Sequence, residues 1–264
     1  MQKSLRVAKQ VGFGYLINCA VTVFLQSTIP LLTDKNLPIP FSLFDLGRLH
    51  AAIYFLQIWG MSHSAATNSA LDFLAYNFMC IINGQAKVLN EKIRTSGNLQ
   101  NEEDLIEHLN NCVYHHNKVI TLVQKVENVF SMILLIQYLA SIVAICNIGF
   151  QLVNVKIFSF QFFSMLLFLL AMMCQLGVYC WFGNEIILNS AAIRKACYDS
   201  DWVDYSVRVR KILFIIMERG KRPLYLTAGK FSILSLASFT SVINSAYSFF
   251  TLMQRMYQPS EYEI

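Results

Sequence analysis

Five stretches of this chain are each long and apolar enough to cross a hydrocarbon core, which takes about twenty mostly apolar residues in a helix. They run from Val7 to Pro30, Ala51 to Ile82, Val129 to Val153, Ile157 to Phe182 and Phe231 to Met253. Chains of this kind fold as all-α integral membrane proteins, because a helix satisfies its own backbone hydrogen bonds where no water is present. The fourth stretch carries no charge from Ile157 to Phe182, whereas His63, Asn68 and Asp72 interrupt the second.

The positive charges fix an expected orientation. Seventeen of the twenty-one Lys and Arg residues fall into three alternate segments. Lys3, Arg6 and Lys9 lie at the head of the first stretch; Lys87, Lys92, Arg94, Lys118 and Lys125 lie between the second and third. Nine more occur from Arg194 to Lys230, and the remaining segments hold only Lys35, Arg48, Lys156 and Arg255. Positive charge is retained on the cytoplasmic side, so the N-terminus is expected inside and the C-terminus, after five crossings, outside. A G-protein-coupled receptor has the reverse orientation.

The net charge of +5 is thus topological and points to no nucleic-acid partner; 55% of the residues are hydrophobic and 14% charged. The seven cysteines, at 19, 80, 112, 146, 174, 180 and 197, fall inside spans or on the inner side. No extracellular disulfide is expected, and without a CxxC pair no structural metal. The first stretch exceeds a signal-peptide core and Ile29-Pro30-Leu31-Leu32 offers no small-residue cleavage site, so it is expected to be retained.

The segments between spans differ in kind. Thr33 to Arg48, punctuated by Pro38 and Pro40, reads as an extended outer tether or as a lid over an outward-facing cavity. The inner segment has helical order: Leu105, Leu109, Cys112, His116, Val119, Val123, Val126 and Phe130 recur at spacings of four and three, a narrow apolar seam that calls for a partner helix. Asn101 followed by Glu102, Glu103 and Asp104 supplies a cap and an acidic first turn, predicting a helix that runs unbroken into the third span. His108, Cys112, His115 and His116 share two turns, but no second cluster exists to close a zinc tetrahedron. A second inner helix is expected before Gly220 and Pro223, with Val203, Val207, Phe214 and Met217 on its apolar face and Arg208 and Lys211 opposite. Packing against the seam helix is the expected role of that face, with the inner leaflet as the alternative. The helical anchor thus covers about 83–128 and 184–230.

In the last span Ser241, Asn244, Ser248, Thr251 and Arg255 follow at spacings of three and four, a polar stripe on an apolar helix. Such a stripe either hydrogen-bonds to neighbouring helices or lines an aqueous pore, one copy per subunit. Asp72, ionisable within a span, lies near the inner end, within reach of water or a lysine. No Walker loop, GxSxG, HExxH or acid-base carboxylate pair is present, so catalysis and a cofactor are not expected.

Tyr179-Cys-Trp-Phe-Gly-Asn-Glu-Ile186, then Ser190, Ala196, Tyr198 and Trp202, then Arg210-Lys-Ile-Leu213, Met217, Arg219, Pro223, Leu224, Ala228-Gly-Lys230 and Ala246-Tyr-Ser-Phe-Phe250 resemble the C-terminal signature of insect odorant receptors. Gln57, Asp72, His116 and Glu127 resemble that family's less specific landmarks. The resemblance implies a seven-span plasma-membrane receptor of sensory neuron dendrites that forms a hetero-tetrameric, odorant-gated cation channel with a shared co-receptor. It also implies that the last helix of each subunit lines the pore, at Ser241, Asn244, Ser248 and Thr251 here. An inner anchor containing Leu105, Leu109, His116, Tyr198 and Trp202 is implied as well. The short inner loop resembles that of an odour-tuning subunit, and the five spans match the family's third to seventh, so two further spans are expected upstream. Gustatory receptors differ in the last span, where Tyr247 here follows Ala246 and Gln254 is followed by Arg255. A transporter is the alternative from another class, but internal repeats and broken helix pairs are not visible. Candidate wall residues for a small, mostly apolar volatile are Phe24, Phe55, Ile58, Trp59, Phe162 and Met165, which in turn suit ordinary helix or lipid packing.

Overall fold

The computed structural model describes residues 10, 13–14, 17, 20–25, 27–28, 50–99, 101–156, 158–200 and 202–257. The outer loop from Thr33 to Arg48 lies outside the described residues. Among the described residues, five α-helices have defined bounds: α1 (His50–Arg94), α2 (Glu102–Asn154), α3 (Phe160–Tyr198), α4 (Val207–Gly220) and α5 (Leu236–Tyr257). A short antiparallel hairpin, β1 (Thr227–Ala228) and β2 (Ser232–Ile233), separates the last two. The final helix thus begins at Leu236, five residues after the apolar stretch does, because Phe231 to Ile233 are taken into the hairpin.

Local chemistry sets the helix ends. Asn101 accepts from the Glu103 amide at 3.3 Å ahead of the acidic turn Glu102 to Asp104, and α2 then continues for 53 residues. Ser159 caps α3 through the Phe162 amide at 3.1 Å, Ser206 caps α4 through the Val209 amide, and Ser235 caps α5 through the Ser238 amide at 3.2 Å. Each cap removes an otherwise unpartnered helix N–H.

Two compact units emerge along the chain. The first contains Ala75–Tyr138 and Val178–Phe239, and its core has two clusters. One joins Leu89, Ile93, Leu105, Leu109 and Cys112 to Ile193 and Cys197 of α3 and to Val209, Leu213, Ile216 and Met217 of α4. The other joins Tyr76, Met79, Ile82, Val123, Val126, Phe130 and Leu134 to Tyr179, Phe182, Ile186, Leu226 and Leu234. Every residue of the seam in α2 is at most 5% exposed, so its partners are α1, α3 and α4 of the same chain.

The face expected on the second inner helix is corrected. Val209, Leu213, Ile216, Met217 and Gly220 are buried, whereas Val203, Val207 and Phe214 are exposed. Packing against the seam stands, through a face turned by about one position.

The second unit contains Lys9–Leu74, Leu139–Gly177 and Thr240–Ile264. Its core gathers Ile142, Ile145 and Cys146 of α2, Leu169, Met172 and Met173 of α3, and Ala246 of α5. Two helical segments among the described residues, Glu102–Leu152 and Phe160–Tyr198, are long and apolar enough to cross a membrane. Only 33% and 28% of their most apolar windows is buried within the chain, so most of that apolar surface faces outward.

Candidate functional site

The polar stripe of α5 lies opposite the helix's buried line. Val242 and Ala246 are buried, Cys146 directs its thiol to the Ala246 carbonyl at 3.9 Å, and Phe250 packs near Gly149. At 100° per residue those positions fall within one narrow sector, and Ser241, Asn244, Ser248 and Thr251 fall on the opposite one. Ser241, Asn244 and Ser248 are exposed and Thr251 is half-buried. The hydroxyl of Ser248 donates to the Asn244 carbonyl at 2.9 Å and that of Thr251 to the Ser248 carbonyl at 2.8 Å. Ser245 does the same to the Ser241 carbonyl at 2.9 Å. These hydroxyls are thus satisfied within their own helix while their oxygens stay presented outward.

The proposed ligand wall divides. Ile58, Phe162 and Met165 are half-buried in the second unit, whereas Phe24, Phe55 and Trp59 are 65%, 71% and 72% exposed. In an apolar span a large side chain turned outward costs little in lipid, so its size alone does not identify a cavity. Asp72 is buried, and the Gln175 side-chain amide donates to it at 2.6 Å. The spacing along the second span could not announce this partner, 103 residues away.

The anchor residues fall in the first unit. Leu105, Leu109 and His116 are buried in it, Tyr198 is exposed and Trp202 half-buried, the two rings meeting edge to face at 6.4 Å. Burial, then the charge of Arg219 and His115, pushes the His116 pKa down to about 4. Burial raises the Cys112 thiol and pushes that of Cys197 up to about 12. His108 pairs with the Lys92 carbonyl at 2.9 Å and His115 with Gln85 at 2.8 Å. These groups serve packing and hydrogen bonding, and no cluster fit to hold a metal exists among the described residues.

Two polar constellations were not anticipated from the sequence. Asn83 donates to the Phe182 carbonyl at 3.2 Å, Asn90 to the Asn189 carbonyl at 2.9 Å, and Asn189 to the Asn83 side chain at 3.1 Å. Lys87 and Arg94 add ion pairs to Glu185 and Asp199, both at 3.3 Å. The available signal was the seven-residue interval that separates Asn83 from Asn90 and Lys87 from Arg94. The second constellation joins Glu127 and Ser131 of α2 to the hairpin. The Thr227 amide donates to Glu127 at 2.8 Å, the Thr227 hydroxyl donates to the same carboxylate, and the Gly229 amide donates to the Ser131 carbonyl at 2.8 Å.

Comparison with known proteins bears on the family and the fold. The family model described as 7tm Odorant receptor matches residues 2–247. Odorant receptor 94a of Drosophila melanogaster is 30% identical over 202 residues, covering 76% of this chain and 52% of the relative. Putative odorant receptor 92a of the same organism is 27% identical over 215 residues, covering 78% and 51%. The chain thus spans about half the length of these curated relatives. Among solved structures, the insect olfactory receptor OR5 from Machilis hrabei in complex with eugenol matches with a TM-score of 0.86 at 18% identity. The match covers 97% of this chain and 68% of that one, a likeness of fold. With nearly its whole length inside one family's pattern, this chain belongs to the 7tm odorant receptor family.

Proposed function

We propose that this chain acts as an odour-tuning subunit of an odorant-gated cation channel, assembled with a co-receptor in a hetero-tetramer. In this reading the first unit is the cytoplasmic anchor, the N-terminus is inside and the C-terminus outside. The single observation that carries the channel reading is the outward polar stripe of α5. Val242 and Ala246 attach the helix to its own bundle, leaving Ser241, Asn244, Ser248 and Thr251 for a water-filled path shared with other subunits. Isolated hydroxyl and amide groups are costly against hydrocarbon and favourable against water. They suit weak, exchangeable coordination of passing cations.

Ligand binding falls to the second unit, where Ile58, Phe162 and Met165 supply a half-buried apolar wall. A small volatile held there gains mainly dispersion and desolvation, with few polar contacts to fix its orientation. Phe24, Phe55 and Trp59, which are exposed, are the outer candidates for the same role.

Voltage-clamp recording tests the reading on cells that co-express the receptor and a co-receptor subunit, exposed to a panel of small apolar volatiles. A cation current that persists with guanosine 5′-O-(2-thiodiphosphate) in the pipette is the expected result. A response abolished by that nucleotide would contradict the channel reading, because it would require a G protein between ligand and current.

A further inference from the structure

We infer that Glu127 is a positioning residue that clasps the hairpin, and with it the first turn of α5, against α2. The inference deepens the channel reading, on which its functional consequence rests, but the clasp itself is a matter of geometry within one unit.

The hairpin has two residues in each strand, far too few to be stable alone. Its turn has positive φ at both central positions, 60° at Gly229 and 63° at Lys230, with the Phe231 amide closing on the Ala228 carbonyl at 3.1 Å. Lysine adopts that conformation only where its surroundings impose it. Those surroundings are polar and centred on Glu127. Its carboxylate accepts from both the amide and the hydroxyl of Thr227, a residue 6% exposed. The Thr227 oxygen then accepts from the Lys230 amide at 3.1 Å and lies 3.4 Å from the Ser131 hydroxyl. The Ser131 carbonyl takes the Gly229 amide.

Three backbone donors of the hairpin, at 227, 229 and 230, are therefore satisfied by α2 or by a hydroxyl that α2 holds. Losing them in this partly buried setting costs most at Thr227, whose amide is the least open to water. Close packing adds to the clasp. A side chain at Gly229 would collide with Leu135, and one at Gly183 with the Leu234 carbonyl. From the hairpin to α5 the connection is short and tied. The Ser238 hydroxyl donates to the Ile233 carbonyl at 2.6 Å, and Ser235 caps the helix. Wherever the hairpin is held, the start of α5 is held too.

Hydrogen exchange on the full chain in lipid nanodiscs, resolved over residues 224–236, tests the clasp without relying on current. Thr227→Val should speed exchange of the hairpin amides by roughly tenfold or more, because the hydroxyl's bond to Glu127 and the acceptor of the Lys230 amide are both lost, while the amide of residue 227 keeps its bond to Glu127. Thr227→Ser should restore protection, and α4 amides from 209 to 217 should not change in either variant. Glu127→Ala, which also removes the acceptor of the Thr227 amide, should speed exchange at least as much as Thr227→Val; if it fails to fold, the Val and Ser pair decides. Unchanged hairpin exchange in Thr227→Val, or loss of protection in Thr227→Ser equal to that in Thr227→Val, would overturn the inference. Currents recorded from the same variants separate the two readings. A wild-type receptor that carries no ligand-evoked current contradicts the channel reading and leaves the exchange comparison decisive. A conducting wild type with unaltered hairpin exchange in Thr227→Val removes the clasp alone.

Discussion

The apolar seam of α2 and the polar stripe of α5 recur at the same spacing of three and four residues, yet they meet opposite fates. Every seam residue is covered by other helices of the chain, while Ser241, Asn244 and Ser248 are left outside. The seam is finished locally: its exposed neighbours Glu107, Lys118 and Lys125 suit water. The stripe is unfinished, because the same helix also exposes Tyr247, Phe249 and Leu252. An exposed face that mixes hydroxyls with large apolar groups suits neither bulk water nor lipid throughout, and its partners on the channel reading are a pore on one side and neighbouring subunits or lipid on the other.

That contrast breaks most readily under truncation. Leu109→Ala removes a fully buried side chain from the cluster where α1, α2, α3 and α4 meet, and should cost about 2–5 kcal/mol of stability. Reduced thermal stability and lower surface expression should follow. Ser248→Ala on the stripe should change stability by no more than about 0.5 kcal/mol. Equal losses from the two substitutions would erase the difference between the regions.

Acid sharpens the comparison next. His116 is held neutral in the seam with its pKa pushed down to about 4, first by burial and then by Arg219 and His115. An imidazole in the unfolded chain titrates near its ordinary value of about 6.5. The unfolded state therefore binds the proton first as pH falls, so the seam's stability is whole above about pH 6.5 and declines toward pH 4. The melting temperature should drop between pH 7 and pH 5, and His116→Gln should reduce that slope. Some slope should remain from His115, whose pKa is lowered by burial, Lys92 and Lys118. A slope identical in the two proteins would contradict the assignment to His116.

A smaller effect is expected at the N-cap of α4. Ser206→Ala removes the oxygen that accepts from the Val209 amide and should cost about 1 kcal/mol. Thermal melting checks it, and Ser206→Asp should recover most of the loss.

How much of this was legible beforehand depended on how many residues voted. Eight seam positions over about seven turns left one consistent face, and Asn101 marked its start. In α4 the apolar residues Ile212 to Met217 form an unbroken run, so periodicity could not choose between faces. Leu89, Leu105, Leu109 and Cys112, supplied from elsewhere in the chain, made that choice. The stripe was readable because polar residues in an apolar helix stand out. The clasp was not, since Glu127 and Thr227 lie 100 residues apart and neither sits in a local motif that names its partner. Large apolar side chains were least informative: Phe55 and Trp59 turn outward while the smaller Ile58 is partly covered.

The central claim is that the stripe faces water in the open channel. Single cysteines at 241, 244, 248 and 251, tested with a charged methanethiosulfonate reagent during stimulation, measure it most directly. The account expects fast modification with altered current at those four positions, and slow or no modification at Val242 and Ala246, where protein excludes an ionised reagent. Uniform reactivity around the helix, or faster reaction at 242 and 246 than along the stripe, would contradict it.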